Sequence, residues 1–202
     1  KTRKYKKNGL SRIIGLLEFP IKLHLLRKKF VKPEVIIHTA NVPFENLVYY
    51  TAKKLNATYI VEILDLWPQT FVDLGLVNKW NPLMFFSYLA EKWLYKKADK
   101  VVFSMEGGKN YIIDKKWDID NGGPIDLKKV YYINNGVDLN DFNNYKKIHK
   151  LDDCDLENDN IKKITYIGAI RLANNLSELM AAAEILKDHS DIKFLIYGDG
   201  ED

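Results

Sequence analysis

Thr58–Leu74 reads Thr-Tyr-Ile-Val-Glu-Ile-Leu-Asp-Leu-Trp-Pro-Gln-Thr-Phe-Val-Asp-Leu. The first half is apolar and β-prone, which is typical of a strand buried on both faces of a parallel sheet. We expect the strand to end at Asp65, because Pro68 cannot take part in the ladder at the centre of a sheet. A carboxylate is therefore predicted at the carboxyl end of a strand, where open α/β sheets bind ligands.

Apolar strand patterns alternate with amphipathic helix patterns on both sides of this stretch. Strands are predicted at residues 34–38, 58–64, 100–103 and 130–133, and helices at 12–30, 41–55, 81–97 and 109–116. Pro20 is expected to kink or split the first helix. The alternation predicts an α/β fold, a Rossmann-like parallel sheet with helices on both faces.

The helix predicted at 81–97 is expected to turn an apolar face to the sheet. Its inward residues are predicted to be Phe86, Leu89, Ala90, Trp93 and Leu94. We interpret Glu91, Trp93 and Tyr95 as packing or helix-surface residues rather than ligands.

A second unit begins after a polar segment. We predict a first Rossmann-like domain at 1–138, a linker at 139–160 and the start of a second such domain at 161–202, with strands at 162–167 and 192–197 around a helix at 176–189. About forty residues cannot build a core of their own. The chain also begins at Lys1 and ends in a loop, so we expect a piece of a longer protein in which both domains are incomplete.

Charge is distributed unevenly along the chain. Residues 1–32 hold eleven Lys or Arg and one acid, a net charge of +10, which leaves −6 for the rest of a chain whose total is +4. A basic segment of this kind suits an anionic partner such as a membrane surface or a lipid diphosphate. The alternative is a solvated basic flank. Nucleic acid is disfavoured, because stacking aromatic residues do not interleave with the cations.

Polar residues follow three of the predicted strands. His38 and Thr39 end the first, Asp65 ends the second, and Ser104 and Glu106 follow the third. Carboxyl ends of parallel strands meet at one sheet edge, so we expect these side chains to line the first domain's side of an interdomain cleft.

The second unit carries an anion-binding pattern. Gly168 ends its first strand, Arg171 lies in the following loop, and Asn174 or Asn175 can cap the next helix. Gly198-Asp199-Gly200 ends the next strand and is expected near the same ligand, although this tripeptide is more often simply a tight turn. The pattern suits a phosphate or diphosphate.

Other classes of site have no signal in the sequence. The four histidines lack metal-ligand spacing, so no metal site is predicted, and the single cysteine, Cys154, is interpreted as an incidental surface thiol in a protein of a reducing compartment.

Several motifs occur in a recognisable order: Asp65-Leu-Trp-Pro68, Glu91-Lys-Trp-Leu-Tyr95, Ile133-Asn-Asn-Gly-Val-Asp138, Tyr166-Ile-Gly168 and Gly198-Asp-Gly200. Together they resemble family-4-type glycosyltransferases of the GT-B fold. The Asp-Leu-Trp-Pro element is similar to the bacterial branch that builds O-antigen and capsule sugars, including N-acetylfucosamine-type transferases.

The resemblance implies two facing Rossmann-like domains, an acceptor on the first and a nucleotide-sugar, which we expect to be UDP-linked, on the second. It also implies retention of configuration, no cofactor and no metal, and a lipid-linked acceptor reached from the cytoplasmic face of the plasma membrane. Asp65 stands where related enzymes often have a histidine near the reacting carbon. Asn174-Asn175 replaces the family's Lys-Gly pair, which leaves Arg171 for the diphosphate.

Two further hypotheses remain open at this point. One is a sugar-nucleotide epimerase, which also uses two facing Rossmann-like domains but needs no lipid acceptor. The other is a non-catalytic module that binds a nucleotide-sugar.

Overall fold

The computed structural model describes residues 10–40, 46–149, 151, 153–171 and 174–200. The chain divides into two compact units between Gly136 and Val137. Each unit is α/β with parallel strands.

The first unit is built on a four-stranded parallel sheet in the order β1-β2-β3-β4. Its elements are α1 (Leu10–Leu26), β1 (Val35–Thr39), α2 (Asn46–Leu55), β2 (Thr58–Ile63), α3 (Gln69–Asp73), α4 (Pro82–Lys97), β3 (Lys100–Phe103), α5 (Gly108–Asp114) and β4 (Val130–Tyr132). All four strands were predicted, whereas α3 was not.

The core of this unit lies on one face of the sheet. Because successive strands are neighbours and parallel crossovers are right-handed, the connecting helices fall on the same side. Tyr59, Val61 and Ile63 of β2 are at most 2% exposed there. They belong to one buried cluster with residues of three helices and with Ala98, which follows α4; the helix residues are Val48, Ala52, Leu94, Tyr95, Tyr111 and Ile112.

The prediction that helices cover both faces does not hold for the described residues. Val35 and Ile37 lie on the opposite face of β1 and are 48% and 67% exposed. In β2, Ile60 and Glu62 are half-buried rather than buried. The apolar run in β2 therefore reflects one fully packed face and one partly covered face.

Helix α4 begins as predicted, and its predicted inward face is confirmed in part, since Leu94 is buried and Trp93 packs against the core. The Asn81 side chain accepts a hydrogen bond from the Leu83 N–H, with Pro82 in the first turn. Phe86 and Leu89, predicted to face inward, are 64% and 47% exposed. The buried side chains of this helix are those of Met84, Ser87, Glu91, Leu94 and Tyr95.

The sheet is joined to its helices by polar contacts at the amino-terminal ends of the strands. Asp99 accepts a hydrogen bond of 2.8 Å from the Tyr59 N–H and pairs with Lys53 at 2.9 Å. Partial burial acts to raise the pKa of Asp99, but these hydrogen bonds outweigh it and lower the pKa. One carboxylate thus links the end of α4 to β2 and α2.

Helix α1 runs unbroken through Pro20 to Leu26, so the predicted split does not occur. A 3₁₀ turn, Arg27–Lys29, follows it. His24 Nδ1 lies 3.0 Å from Thr51 Oγ1, which packs α1 against α2. No helix among the described residues has the length and apolar character needed to cross a membrane.

The second unit has a parallel pair of strands preceded by two helices. Its elements are α6 (Leu139–Ile148), α7 (Cys154–Glu157), β5 (Lys162–Ile167), α8 (Leu176–Ile185) and β6 (Ile192–Tyr197). The segment predicted as a linker, 139–160, thus contains α6 and α7. Lys193 and Tyr197 of β6 hydrogen-bond to Asp155 and Asp153, which fastens α7 to the strands.

Candidate functional site

A small pocket opens at the carboxyl edge of the first sheet. It has a volume of about 30 Å³, which is room for one or two water-sized groups. Residues after β1 and β2 form one side, and α4 forms the other. The lining residues are Ala40, Asn46, Ile63, Asp65, Trp67, Ser87, Ala90, Glu91, Leu94 and Tyr95.

Asp65 is the predicted site residue that lines this pocket. The strand β2 ends at Ile63, and the chain then turns so that the Trp67 N–H donates to the Asp65 carbonyl at 2.9 Å. Pro68 is buried, and the Trp67–Pro68 peptide bond is cis. The Asp65 side chain remains exposed, so its carboxylate is available to a ligand at the pocket mouth.

Glu91 is a second carboxyl group in the same pocket and is only 7% exposed. The Tyr95 hydroxyl donates to Oε1 at 2.7 Å, and the Tyr111 hydroxyl donates to Oε2 at 2.9 Å. Burial raises the pKa of Glu91 to about 7, although the two hydroxyl donors and the charge of Lys115 act to lower it. Near neutral pH this carboxyl group can therefore hold or release a proton.

Sequence reasoning missed Glu91 as a site residue because it assigned the inward face of α4 from apolar residues. A signal was present in the spacing. Ser87, Glu91 and Tyr95 are four residues apart and lie on one helix face, and that face is buried. The interpretation of Glu91 and Tyr95 as packing residues holds in part: both are buried, but both also line the pocket. Trp93 packs edge-to-face on Tyr49, with ring centroids 5.3 Å apart.

A second polar cluster holds the segment that follows Asp65. Gln69 Oε1 accepts hydrogen bonds from the Tyr88 hydroxyl at 2.8 Å and from Lys115 Nζ at 2.6 Å. The Lys115 ammonium lies 4.0 Å from the centroid of the Tyr88 ring. Burial lowers the pKa of Lys115. These contacts tie α3 to α4 and to the end of α5, and so position the Trp67 loop over the pocket.

The remaining predicted residues of this edge have structural partners or lie apart from the pocket lining. His38 is buried, with Nδ1 2.6 Å from the Tyr59 hydroxyl. Thr39 donates to Glu62 at 2.6 Å. Ser104 donates its backbone N–H and its hydroxyl to the Ile63 carbonyl. Glu106 is exposed.

The second unit brings its predicted glycines together. The Gly168 N–H donates to the Tyr197 carbonyl at 3.0 Å, and the Ile170 N–H donates to the Asp199 carbonyl at 3.0 Å. A Cβ atom on Gly198 would lie 1.9 Å from the Gly168 carbonyl oxygen, and one on Gly200 would lie 1.7 Å from that of Ile170. Both glycines are therefore required by the close approach of the two loops.

The two asparagines do not cap α8 with their side chains. Asn174 donates to the Tyr166 hydroxyl at 2.8 Å and to the Ala169 carbonyl at 2.6 Å, which holds the loop after β5. Asn175 precedes the helix with φ 45°, and its side chain accepts from the Ser177 hydroxyl. Arg171 is exposed at the end of this loop, so its guanidinium is accessible to an anion.

Comparison with known proteins leaves the family open. No protein-family model matches the chain, and no curated protein is significantly similar to it.

Proposed function

We propose that this chain belongs to a bacterial glycosyltransferase that moves a sugar from a nucleotide-sugar, UDP-linked, to a lipid-linked acceptor in the synthesis of a cell-surface polysaccharide. The transfer retains configuration and uses no metal. The first unit takes the acceptor and the second unit takes the donor, in the manner of a GT-B enzyme.

The observation that carries the proposal is the exposed Asp65 carboxylate at the mouth of this pocket, which has room for a hydroxyl group but not for a sugar ring. A free carboxylate, an indole ring and a buried carboxyl group meet at the carboxyl edge of a parallel sheet. Carboxylates accept hydrogen bonds from sugar hydroxyls and stabilise positive charge at the reacting carbon. Aromatic rings provide an apolar surface for the C–H face of a sugar. The motif resemblance described above supports the same assignment.

In this proposal Asp65 contacts the donor sugar and Arg171 binds the diphosphate that leaves. A guanidinium pairs with phosphate oxygens through two parallel hydrogen bonds and stabilises the charge that develops on the leaving group. Gly168, Asn174, Asn175, Gly198 and Gly200 shape the loops around it. The basic segment 1–32, of which residues 1–9 lie outside the described residues, favours the cytoplasmic face of an anionic membrane.

A transfer screen tests the proposal. Labelled UDP-sugars are offered to the protein with and without a lipid-diphosphate-sugar acceptor. Acceptor-dependent product supports the transferase. Conversion of the UDP-sugar without acceptor would favour an epimerase, and binding without any turnover would favour a non-catalytic module.

The proposed role of Arg171 in binding the donor is tested by measuring the affinity for UDP. Arg171→Ala should weaken UDP binding, measured by calorimetry, about tenfold. Lys162→Ala removes another exposed cation of the second unit and should leave UDP affinity unchanged. Equal affinities in the two variants would remove Arg171 from the proposed site.

A further inference from the structure

A second pocket lies where α1 and α2 end, at the amino-terminal edge of the sheet. It has a volume of about 340 Å³, within the range of small-ligand sites. The 3₁₀ turn after α1, the extended segment that follows it and the last turn of α2 form its walls. Its lining residues are Arg27, Lys28, Phe30, Lys32, Lys54, Leu55 and Asn56.

Four cations from two separate parts of the chain line this pocket, and none of its described lining residues is acidic. Like charges repel one another, so an arrangement of this kind is stabilised by an anion that binds between them. Helix ends account for part of the charge, since a cation in a last turn offsets the negative end of the helix dipole. Lys32 lies after the 3₁₀ turn and outside the last turn of a helix, so a helix end does not account for its charge.

The pocket walls are fixed by contacts outside it. Arg27 Nη1 donates to the His24 carbonyl at 2.6 Å, and His24 in turn contacts Thr51 of α2 at 3.0 Å. The chain leaves α2 through Asn56, which has φ 55° and donates its N–H to the Lys53 carbonyl. These contacts hold together the two backbone segments that carry the cations.

Exposed apolar side chains stand beside the cations. Val31 is 94% exposed and Phe30 is 49% exposed, while Leu25 of α1 is 69% exposed. Cations next to exposed apolar groups are typical of surfaces that enter the headgroup region of an anionic bilayer.

We propose that this basic pocket binds a phosphate group, presented either by a lipid headgroup or by a soluble phosphorylated ligand. Lys and Arg side chains bind phosphate through charge-assisted hydrogen bonds, and four of them converge here. The pocket lies at the opposite edge of the sheet from Asp65, so the inference does not depend on glycosyl transfer. Its lipid arm rests on the membrane contact proposed for segment 1–32 and narrows that contact to one pocket.

Two binding measurements with the 202-residue protein distinguish the sources. The first is sedimentation with vesicles of phosphatidylglycerol and phosphatidylcholine, compared with phosphatidylcholine alone. The second is titration with inorganic phosphate, followed by NMR shifts of the pocket residues. Binding to the anionic vesicles alone assigns a lipid headgroup, and shifts with inorganic phosphate assign a soluble ligand.

A pair of charge-matched variants gives the decisive comparison. The pocket variant replaces Arg27, Lys28, Lys32 and Lys54 by Gln, and the control replaces the exposed Lys109, Lys146, Lys147 and Lys162 by Gln. We expect the pocket variant to lose at least about tenfold in affinity in whichever assay detects binding, since each cation near an anionic surface contributes about fivefold. The control should lose much less. Equal losses in both variants, or no binding in either assay, would overturn the proposal.

Discussion

The substitution Glu91→Gln should change how the stability of the first unit depends on pH. The Glu91 carboxyl is 7% exposed, and burial raises its pKa from 4.5 to about 7 in the folded protein. Glutamine keeps the size of the side chain and removes its ionisation. The carbonyl oxygen of glutamine can accept from one of the two hydroxyls, Tyr95 or Tyr111, and its NH2 group can donate to the oxygen of the other.

The sign of the effect follows from proton linkage. Below about pH 4.5 the carboxyl group is protonated in both the folded and the unfolded chain. Between pH 4.5 and about 7 the unfolded chain releases the proton while the folded chain keeps it. Stability from the protonated carboxyl group is therefore fully present below pH 4.5 and is lost as the pH rises through about 7.

The magnitude follows from the size of the shift. One pKa unit corresponds to about 1.36 kcal/mol, so the difference between 4.5 and about 7 corresponds to roughly 3 kcal/mol. The free energy of unfolding of the wild type, relative to Glu91→Gln, should fall by this amount from about pH 4.5 to about pH 8. Urea unfolding followed by tryptophan fluorescence measures it at each pH.

Subtracting the unfolding free energy of the variant from that of the wild type cancels the contributions of the other titrating groups. Glu34→Gln, at an exposed position of the same unit, is the matched control for loss of a carboxyl group. If the Glu91→Gln difference changed with pH no more than the Glu34→Gln difference, the buried carboxyl group would not be the source of the pH dependence, and the raised pKa of Glu91 would be refuted.

Three further substitutions test other contacts. Tyr111→Phe removes a hydroxyl donor that lowers the pKa of Glu91, so it should cost about 1–2 kcal/mol at about pH 8 and less at about pH 5, by urea unfolding at the two values. Gly200→Ala places a Cβ against the Ile170 carbonyl, and should destabilise the second unit by roughly 1–3 kcal/mol in thermal unfolding, whereas no loss would mean that the two loops separate freely. Asp99→Asn removes a charged acceptor at the start of β2 and should cost about 1 kcal/mol of unfolding free energy at neutral pH, measured by urea unfolding. The cost should shrink in acid, because the lowered pKa of Asp99 stabilises the folded protein only at pH values above that pKa.

Much of the fold follows from local sequence patterns. The strand around Tyr59 is apolar and β-prone, and the Asn81-Pro82 pair marks the start of α4 through a side-chain cap and a fixed backbone angle. Both features act within a few residues, so they are visible in the sequence. The carboxylate at position 65 was predicted at the strand end for the same reason.

The parts that could not be predicted depend on distant contacts. Buried Glu91 accepts a hydrogen bond from Tyr111, twenty residues away, and no local pattern shows that pairing. Gln69 of α3 accepts a hydrogen bond from Lys115, which is still more distant in the sequence. Apolar periodicity placed Leu94 correctly but misplaced part of the inward face of α4, since Glu91 and Tyr95 are buried while Phe86 is exposed.

The proposed role of Asp65 is tested most directly by acceptor-dependent sugar transfer. Wild type, Asp65→Asn and Asp114→Asn are compared with a UDP-sugar that the screen identifies, Asp114 being an exposed acid of α5. We expect Asp65→Asn to lower kcat/KM at least about a hundredfold, as loss of a group that stabilises transition-state charge does, and Asp114→Asn to retain wild-type turnover. Wild-type turnover in Asp65→Asn would contradict the central claim that the carboxylate at this sheet edge acts on the sugar.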